Sequence, residues 1–241
     1  GRSMEIELFD YELPRGSIAQ SKSDPRDSSR LFHIDASSSV ITHEHHVFRD
    51  IVDLLDTGDL LILNRSRVIP ARIPVRKKTG GKGEVLLLEM KGDRTWEALV
   101  GGKRIGPGDK LLTDDAGTWI GVIDRISEGR SFVEVHDDTG ALTHSDTLEW
   151  LRRWGLMPTP PYIKRMLEDP EEYQTVYGDI EGSVAAPTAG LHFTRELLDR
   201  ISSKGVQIVY IVLHVGLGTF APVKSGNIDD HVMEEEEFYI P

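Results

Sequence analysis

Two short segments combine imidazoles, hydroxyls and glycines at spacings that could do chemistry. The first is Gly182-Ser183-Val184-Ala185-Ala186-Pro187-Thr188-Ala189-Gly190-Leu191-His192-Phe193, in which eight of twelve residues are Gly, Ala, Ser, Pro or Thr. With so few bulky side chains a ligand can approach the backbone closely. A loop that feeds a helix start also offers free N–H groups to anionic or polar ligand atoms. A tightly packed crossover loop would share that composition. The second segment is His214-Val215-Gly216-Leu217-Gly218-Thr219-Phe220, at the end of a long apolar run. In open α/β sheets ligands sit beyond the carboxyl ends of strands. A strand-ending turn around a hydrogen-bonded core histidine is the plainer alternative. Together the segments flank one helix–strand unit, which puts both imidazoles at the same end of a sheet. Histidine titrates near neutrality and can give or take a proton there. The joint pattern reads as an active site.

Other chemistry is weaker or excluded. His43-Glu44-His45-His46 is not H-E-x-x-H, because Val47 stands where the second histidine would be. Adjacent residues also point in different directions, so this run reads as polar surface and no metal site is expected. Neither a Walker A sequence nor a G-x-G-x-x-G after a strand is present, and Gly106-Pro107-Gly108 reads as a turn. Zero cysteines exclude disulfides, thiolate metal sites and a cysteine nucleophile, and fit a reducing cytosol. No apolar run approaches the roughly 20 residues that span a bilayer, so no membrane partner is expected. Gly1–Ser3, ahead of Met4, read as an expression remnant.

The net charge is −12, a poor default for binding nucleic acid. Yet the stretch from Asn64 to Gly83 holds seven of the 28 basic residues and none of the 40 acids. Such a block could meet phosphates while the acidic remainder discourages indiscriminate binding; a solvated basic loop is the bland alternative.

These residues need elements to position them. The 241 residues are enough to bury a real core. Leu31–Ile34 and Val40–Thr42 read as short strands. Val47, Phe48, Ile51, Leu54 and Leu55 recur at helical spacing, with Gly58 as a C-cap, and Leu60–Leu63 reads as a buried strand. From about Ile69 to His136 short β-rich runs alternate with glycine turns: Glu84–Met90, Thr95–Val100, Thr118–Ile123 and Ser131–His136. That texture predicts a small antiparallel barrel or sandwich, inserted into α/β surroundings. Helical spacing returns at Leu148, Leu151 and Trp154, with Gly155 as a stop. Met157–Tyr162 is an extended proline-rich connector. Thr194 is an N-cap candidate, with Glu196 in the first turn and Gly205 as the stop. Val206–Val215 is almost continuously apolar, which predicts a strand covered on both faces.

At this point the motifs stop being generic. Phe9-Asp10-Tyr11-Glu12-Leu13-Pro14 with Ile18-Ala19-Gln20 resembles the S-adenosylmethionine:tRNA ribosyltransferase-isomerase family of queuosine biosynthesis. So do Pro25-Arg26-Asp27, Ser29-Arg30-Leu31, and Leu63-Asn64 followed by Arg67-Val68-Ile69-Pro70-Ala71-Arg72. Pro160-Pro161-Tyr162-Ile163, Tyr173–Tyr177, the Gly182–Thr194 loop and Leu213–Phe220 match as well. The resemblance runs from about residue 4 to 241 and is weakest in the β-rich stretch. The family commonly has His-x-Met-His-x-Glu where this chain reads His231-Val232-Met233-Glu234-Glu235-Glu236, so His231 and Glu236 match and Glu234 departs.

The resemblance implies a large α/β domain, residues 4–68 and 148–241, with a small antiparallel β-barrel domain inserted at 69–147. It implies transfer and isomerisation of the ribosyl part of S-adenosylmethionine onto 7-aminomethyl-7-deazaguanine in tRNA, giving epoxyqueuosine-tRNA, adenine and methionine, in the cytoplasm. S-adenosylmethionine is a co-substrate, and no other cofactor is expected. His192 and His214 are then the expected proton-transfer pair. Thr188, Gly190, Gly216, Gly218, Thr219, His231 and Glu236 are expected around the substrate. Tyr173, Gln174 and Tyr177 are candidates for recognising the base, since aromatics stack on nucleobases and Gln both donates and accepts. Arg65, Arg67 and Arg72 are expected to contact tRNA phosphates or the methionine carboxylate; the family match covers Arg67 and Arg72 but not Arg65. Because the family continues beyond the point where this sequence ends, a non-catalytic RNA- or nucleoside-binding module is the competing expectation.

Overall fold

The structure, a computed structural model, describes residues 4–220, 223, 225–233 and 235–241, the side chains of Leu217 and Phe220 excepted. Gly1–Ser3 and Glu234 lie outside the described residues. Packing divides the chain into two compact units. One comprises Gly1–Arg67, Pro160–Ile180 and Ala186–Pro241; the other comprises Val68–Thr159 and Glu181–Ala185. The short strands β4 (Ser66–Val68) and β12 (Ile180–Ser183) lie where the chain passes from one unit to the other.

The second unit is built on β5 (Arg72–Lys77), β6 (Lys82–Lys91), β7 (Thr95–Gly102), β8 (Lys110–Leu112), β9 (Trp119–Ser127) and β10 (Arg130–Asp137). These pair antiparallel in the order β10-β7-β6-β5-β8-β9, and β9 pairs back onto β10, so the sheet closes. The short β11 (Gly140–Ala141) is added to β10. Of the two all-β architectures left open by the sequence, the barrel is the one that forms. Alternation explains why. In β10 Ser131, Val133 and Val135 face inward, and Val85 and Leu87 do so in β6. Val85, Leu87, Leu111, Ile120, Val133 and Val135 retain no exposed surface, and each contributes roughly 1.5–3 kcal/mol by burial. Two barrel strands went unread in the sequence, β5 and β8. In β5 the inward Ile73 and Val75 alternate with Arg72, Pro74 and Arg76, and that charge masks the period.

Ile105 plugs the barrel against the paired Gly83 and Gly102. A Cβ on Gly83 would lie 2.7 Å from Ile105 Cδ1, and one on Gly102, whose φ is +147°, would lie 2.5 Å from it. Helix α2 (His144–Trp154) starts at Thr143, whose hydroxyl accepts from the Asp146 N–H, and buries Leu151 and Thr147 completely. Leu148 and Leu151 join the barrel core, so this unit reaches residue 159, whereas the sequence reading drew its boundary at 147. Gly155, the predicted stop, leaves no room for a side chain: a Cβ would sit 1.8 Å from the Pro70 carbonyl oxygen.

The first unit holds β1 (Arg30–Asp35) and β2 (Thr42–Val47), which form a two-stranded antiparallel hairpin. It also holds a three-stranded sheet in the order β14-β13-β3, from β3 (Leu60–Asn64), β13 (Gln207–Leu213) and β14 (Phe238–Tyr239). β3 and β13 are parallel, with Leu60 opposite Gln207 and Asn64 opposite Ile211. The predicted helix near residue 47 is reduced to a 3₁₀ turn and α1 (Ile51–Leu54). Gly58, at φ +95°, turns the chain into β3 instead of capping a helix. Helix α3 (Arg195–Ser203) follows its sequence signals: Thr194 Oγ1 accepts from the Leu197 N–H at 3.1 Å, and Gly205 lies just beyond the end with φ +92°. Leu197, Leu198 and Ile201 pack with Phe48, Leu63 and Phe193 to make this unit's core. One expectation fails. The apolar run through β13 is covered on one face only. Leu60, Ile62 and Val209 share the other face with Phe238, which pairs opposite Leu213, and these four are 40–68% exposed. Among the described residues only the α3 side supplies a partner layer.

Candidate functional site

Parallel pairing brings the carboxyl ends of β3 and β13 side by side. Asn64, the last residue of β3, extends the ladder with its side chain: Nδ2 donates to the Leu213 carbonyl at 2.9 Å, and Oδ1 accepts from the Leu213 N–H at 3.0 Å. The same Oδ1 accepts from the Ser66 N–H at 3.1 Å, so one amide fixes both strand ends and the turn that follows β3. His214 is the next residue along β13. Its N–H donates to the Glu237 carbonyl at 3.1 Å. Its Nδ1 is buried and has no hydrogen-bond partner among the described residues. Two residues on, the Gly216 N–H donates to Glu236 Oε1 at 2.8 Å. Val212, His214, Glu236, Glu237, Phe238 and Tyr239 line a cavity of about 480 Å³, within the usual range for small-ligand sites. Three residues singled out from the sequence, His214, Gly216 and Glu236, therefore meet here. Glu237 and the β14 residues were not foreseen, because nothing in a charged tail announces a two-residue strand.

The 182–193 loop is organised separately. Thr188–His192 form a 3₁₀ turn in which the Gly190 N–H donates to the Pro187 carbonyl at 2.8 Å. The His192 ring is tilted against Phe48 at 5.1 Å between centroids. Gly190 is buried against the Tyr177 hydroxyl, where a Cβ would come within 2.2 Å of that oxygen. Burial first, and then the neighbouring Tyr210, push the Tyr177 phenol up to about 12. Tyr173 is also buried: its hydroxyl accepts from the Ala186 N–H at 3.3 Å, and burial raises its pKa. Gln174 is 4% exposed, and its carbonyl accepts from Arg26 Nη1 at 2.8 Å. Of these three candidates for base recognition, Tyr173 and Gln174 are thus buried and Tyr177 is half-buried, with Tyr173 and Tyr177 packed against the loop. Thr188 and Thr219 are exposed, Gly218 is half-buried, and the His231 N–H donates to the Ile228 carbonyl at 3.0 Å. Among the described residues no hydrogen bond or ring contact joins His192 to His214.

The basic block is engaged with acids. Arg65 Nε donates to Asp179 Oδ1 at 2.7 Å and its Nη2 reaches Oδ2, while its guanidinium carbon stands 6.0 Å from the Tyr210 ring centre. That hydrogen bond raises the Arg65 pKa and holds Asp179 below the usual carboxylate range. Arg67 pairs with Glu171, and Arg72 Nε donates to Glu84 Oε2 at 2.8 Å. Arg76 and Lys77 face Asp114 and Asp109 at 3.6 and 3.2 Å. Partly exposed pairs of this kind are worth about 0–1 kcal/mol, so a phosphate could displace the carboxylates at little cost. The sequence showed the arginines but not their partners, the nearest of which, for Arg65 and Arg67, lie over a hundred residues away.

Comparison with known proteins adds a second kind of observation. The sequence matches the family described as "Queuosine biosynthesis protein" over residues 6–241. It is 47% identical over 237 residues to the S-adenosylmethionine:tRNA ribosyltransferase-isomerase of Staphylococcus saprophyticus, covering 98% of this chain and 67% of that one. The protein of the same name from Thermosipho melanesiensis is 46% identical over 239 residues, 99% of this chain and 68% of the relative. A crystal structure of S-adenosylmethionine tRNA ribosyltransferase from Thermotoga maritima is similar over 86% of this chain and 58% of its own, at 32% identity and a TM-score of 0.33.

Proposed function

This chain belongs to the queuosine biosynthesis protein family, and from that premise we propose that it transfers and isomerises the ribosyl part of S-adenosylmethionine onto tRNA. The observation that carries the proposal is identity near one half, sustained across essentially the whole chain, to proteins named for that reaction. The acceptor is 7-aminomethyl-7-deazaguanine in the tRNA, and the products are epoxyqueuosine-tRNA, adenine and methionine. S-adenosylmethionine is consumed as a substrate, and the setting is the cytoplasm. The barrel, whose strands lie within residues 69–147 and whose unit runs on to residue 159, acts as a domain inserted into an α/β domain.

The chemistry sets three demands. A base must remove a proton from the 5′ carbon beside the positive sulfur, an acid must help adenine leave, and the attacking amine must be unprotonated. His192 and His214 are the proton-transfer pair in this reading, each worth roughly 10²–10⁴-fold. For His214 the support is its place at the end of two parallel strands, on a cavity wall, with a buried and unpartnered Nδ1. For His192 it is the small-residue loop, held from below by Tyr173 and Tyr177. Glu236, fixed by the Gly216 N–H, would supply a carboxylate at the cavity wall for the ribose hydroxyls. Gly218, Thr188, Thr219 and His231 complete the substrate surroundings, and Tyr173, Gln174 and Tyr177 recognise the base. Arg65, Arg67 and Arg72 exchange their carboxylate partners for tRNA phosphates or the methionine carboxylate.

The test is release of free adenine from S-adenosylmethionine in the presence of substrate tRNA. The expected result is release by the parent chain and a fall of about 10²–10⁴-fold in His192→Ala and His214→Ala. Near-parental release by both variants would remove the histidine pair. Binding of both substrates without any release would leave the chain as a binding module.

A further inference from the structure

The β1–β2 hairpin carries a second constellation, away from the residues assigned above. Antiparallel register sets His33 directly opposite Glu44, so both side chains leave the same face of the ribbon. His46, two residues beyond Glu44, shares that face because side chains alternate along a strand. Ligand atoms of His33, Glu44 and His46 all lie within 4.8 Å of one another. His46 Nε2 stands 3.1 Å from Glu44 Oε2. Two ligand atoms bound to zinc at about 2.0–2.1 Å in tetrahedral geometry are separated by roughly 3.3 Å, so this pair is already spaced for one ion. Behind it, His46 Nδ1 lies 3.9 Å from Asp50 Oδ2, so that carboxylate stands near the ring's other nitrogen without hydrogen-bonding to it. Asp50 is itself held by the Val47 N–H at 3.1 Å.

We propose that His33, Glu44 and His46 form a binding site for a zinc-like divalent cation, with water in the fourth position. Two imidazoles and one carboxylate suit borderline cations better than magnesium or calcium, which prefer all-oxygen sites. The ion would clamp the two strands across their ladder. Such a clamp suits this ribbon, because β1 and β2 pair only with each other among the described residues and an isolated two-stranded hairpin is marginal in water. The sequence hid the site because its third ligand, His33, lies eleven residues before Glu44 and meets it only through the hairpin register.

The opposite face of the same hairpin supplies an internal control. Phe32, His43 and His45 cluster there, with Phe32 5.3 Å from His43 and 5.0 Å from His45 between ring centres. Titration of the full chain with Co(II), followed by its visible d–d bands, and with Zn(II), followed by calorimetry, should show one site of tetrahedral character. His33→Ala and His46→Ala should each weaken binding by more than the roughly 10–100-fold typical of losing an outer partner, and Glu44→Gln should weaken it also. The double variant His43→Ala/His45→Ala should bind like the parent. Undiminished binding in the first set, equal loss in the second, or no site at all would overturn the proposal. A measurement on the unaltered chain guards against misfolded variants: zinc should protect His33 and His46, but not His43 and His45, from imidazole acylation read by mass spectrometry. Protection of all four, or of none, would also overturn it.

Discussion

The barrel and the three-stranded sheet solve the same problem, burial of apolar strands, in opposite ways. The barrel closes on itself through the β9–β10 pairing, fills its interior with residues of no exposed surface, and leaves no free edge among its six strands. The sheet has two edges, one face packed on α3 and one face open, with Ile62 55% and Phe238 68% exposed. The polar features differ in step. Barrel polar groups serve the fold, as when Trp150 Nε1 donates to Asp115 at 2.9 Å. At the sheet, Asn64, His214 and Glu236 gather where the parallel strands end. A closed element confers rigidity but exposes only its loops, whereas parallel strand ends offer backbone and side chains to a ligand.

This contrast can be broken by experiment. The largest stability effect belongs to the barrel. Leu111→Ala, at a site with no exposed surface, should cost about 2–5 kcal/mol, read as a lowered denaturant midpoint. A loss under 1 kcal/mol would mean that the barrel interior is not close-packed. Next comes Asn64→Ala, which removes the two side-chain hydrogen bonds to the Leu213 backbone and should cost ~1–3 kcal/mol. Hydrogen exchange should then accelerate at Leu213 while barrel amides such as Val133 stay protected. Unchanged exchange at Leu213 would deny the strand-end role.

Tyr177 offers a pH-resolved test. Its folded-state pKa, about 12, lies above the ordinary 10, so folding favours the neutral phenol. The associated stability is complete below pH 10 and is lost as the pH rises through 12. Tyr177→Phe should therefore flatten the fall in stability across that window. A parallel fall in parent and variant would reject the burial argument. The smallest stability effect is expected at Arg65, where Ala should leave the denaturant midpoint nearly unchanged, because a solvent-screened ion pair contributes little. In the tRNA-binding reading the same change lowers the slope of log affinity against log salt by roughly 1. A salt slope equal to the parent's would take Arg65 out of the phosphate surface.

What the sequence disclosed was largely local. Thr194 and Gly205 bracket α3, and period-two alternation marks β7 and β10, because capping and burial periods depend on near neighbours. What it hid was long-range. The Asn64 amide meets a backbone 149 residues away, and the Arg65 carboxylate partner lies 114 residues off. No spacing rule reaches that far. The apolar stretch of β13 misled for a related reason: hydrophobicity states that a face can be buried, not that a partner layer lies against it. His192 and His214 were legible as chemically unusual, but the burial of Tyr173 and Gln174 depends on packing that no motif encodes.

The parallel register of β3 with β13 has a consequence for synthesis. A ribosome finishes every strand of the barrel by Asp137 and the barrel's packed helix by Trp154, while β13 begins only at Gln207. Domains generally fold as units, amino-terminal ones first. A nascent chain halted between those points therefore carries every barrel strand and a β3 that has no β13 to pair with. The ladder that joins Asn64 to Leu213 therefore forms only after every barrel strand has been made, and a chain stopped before residue 207 lacks it.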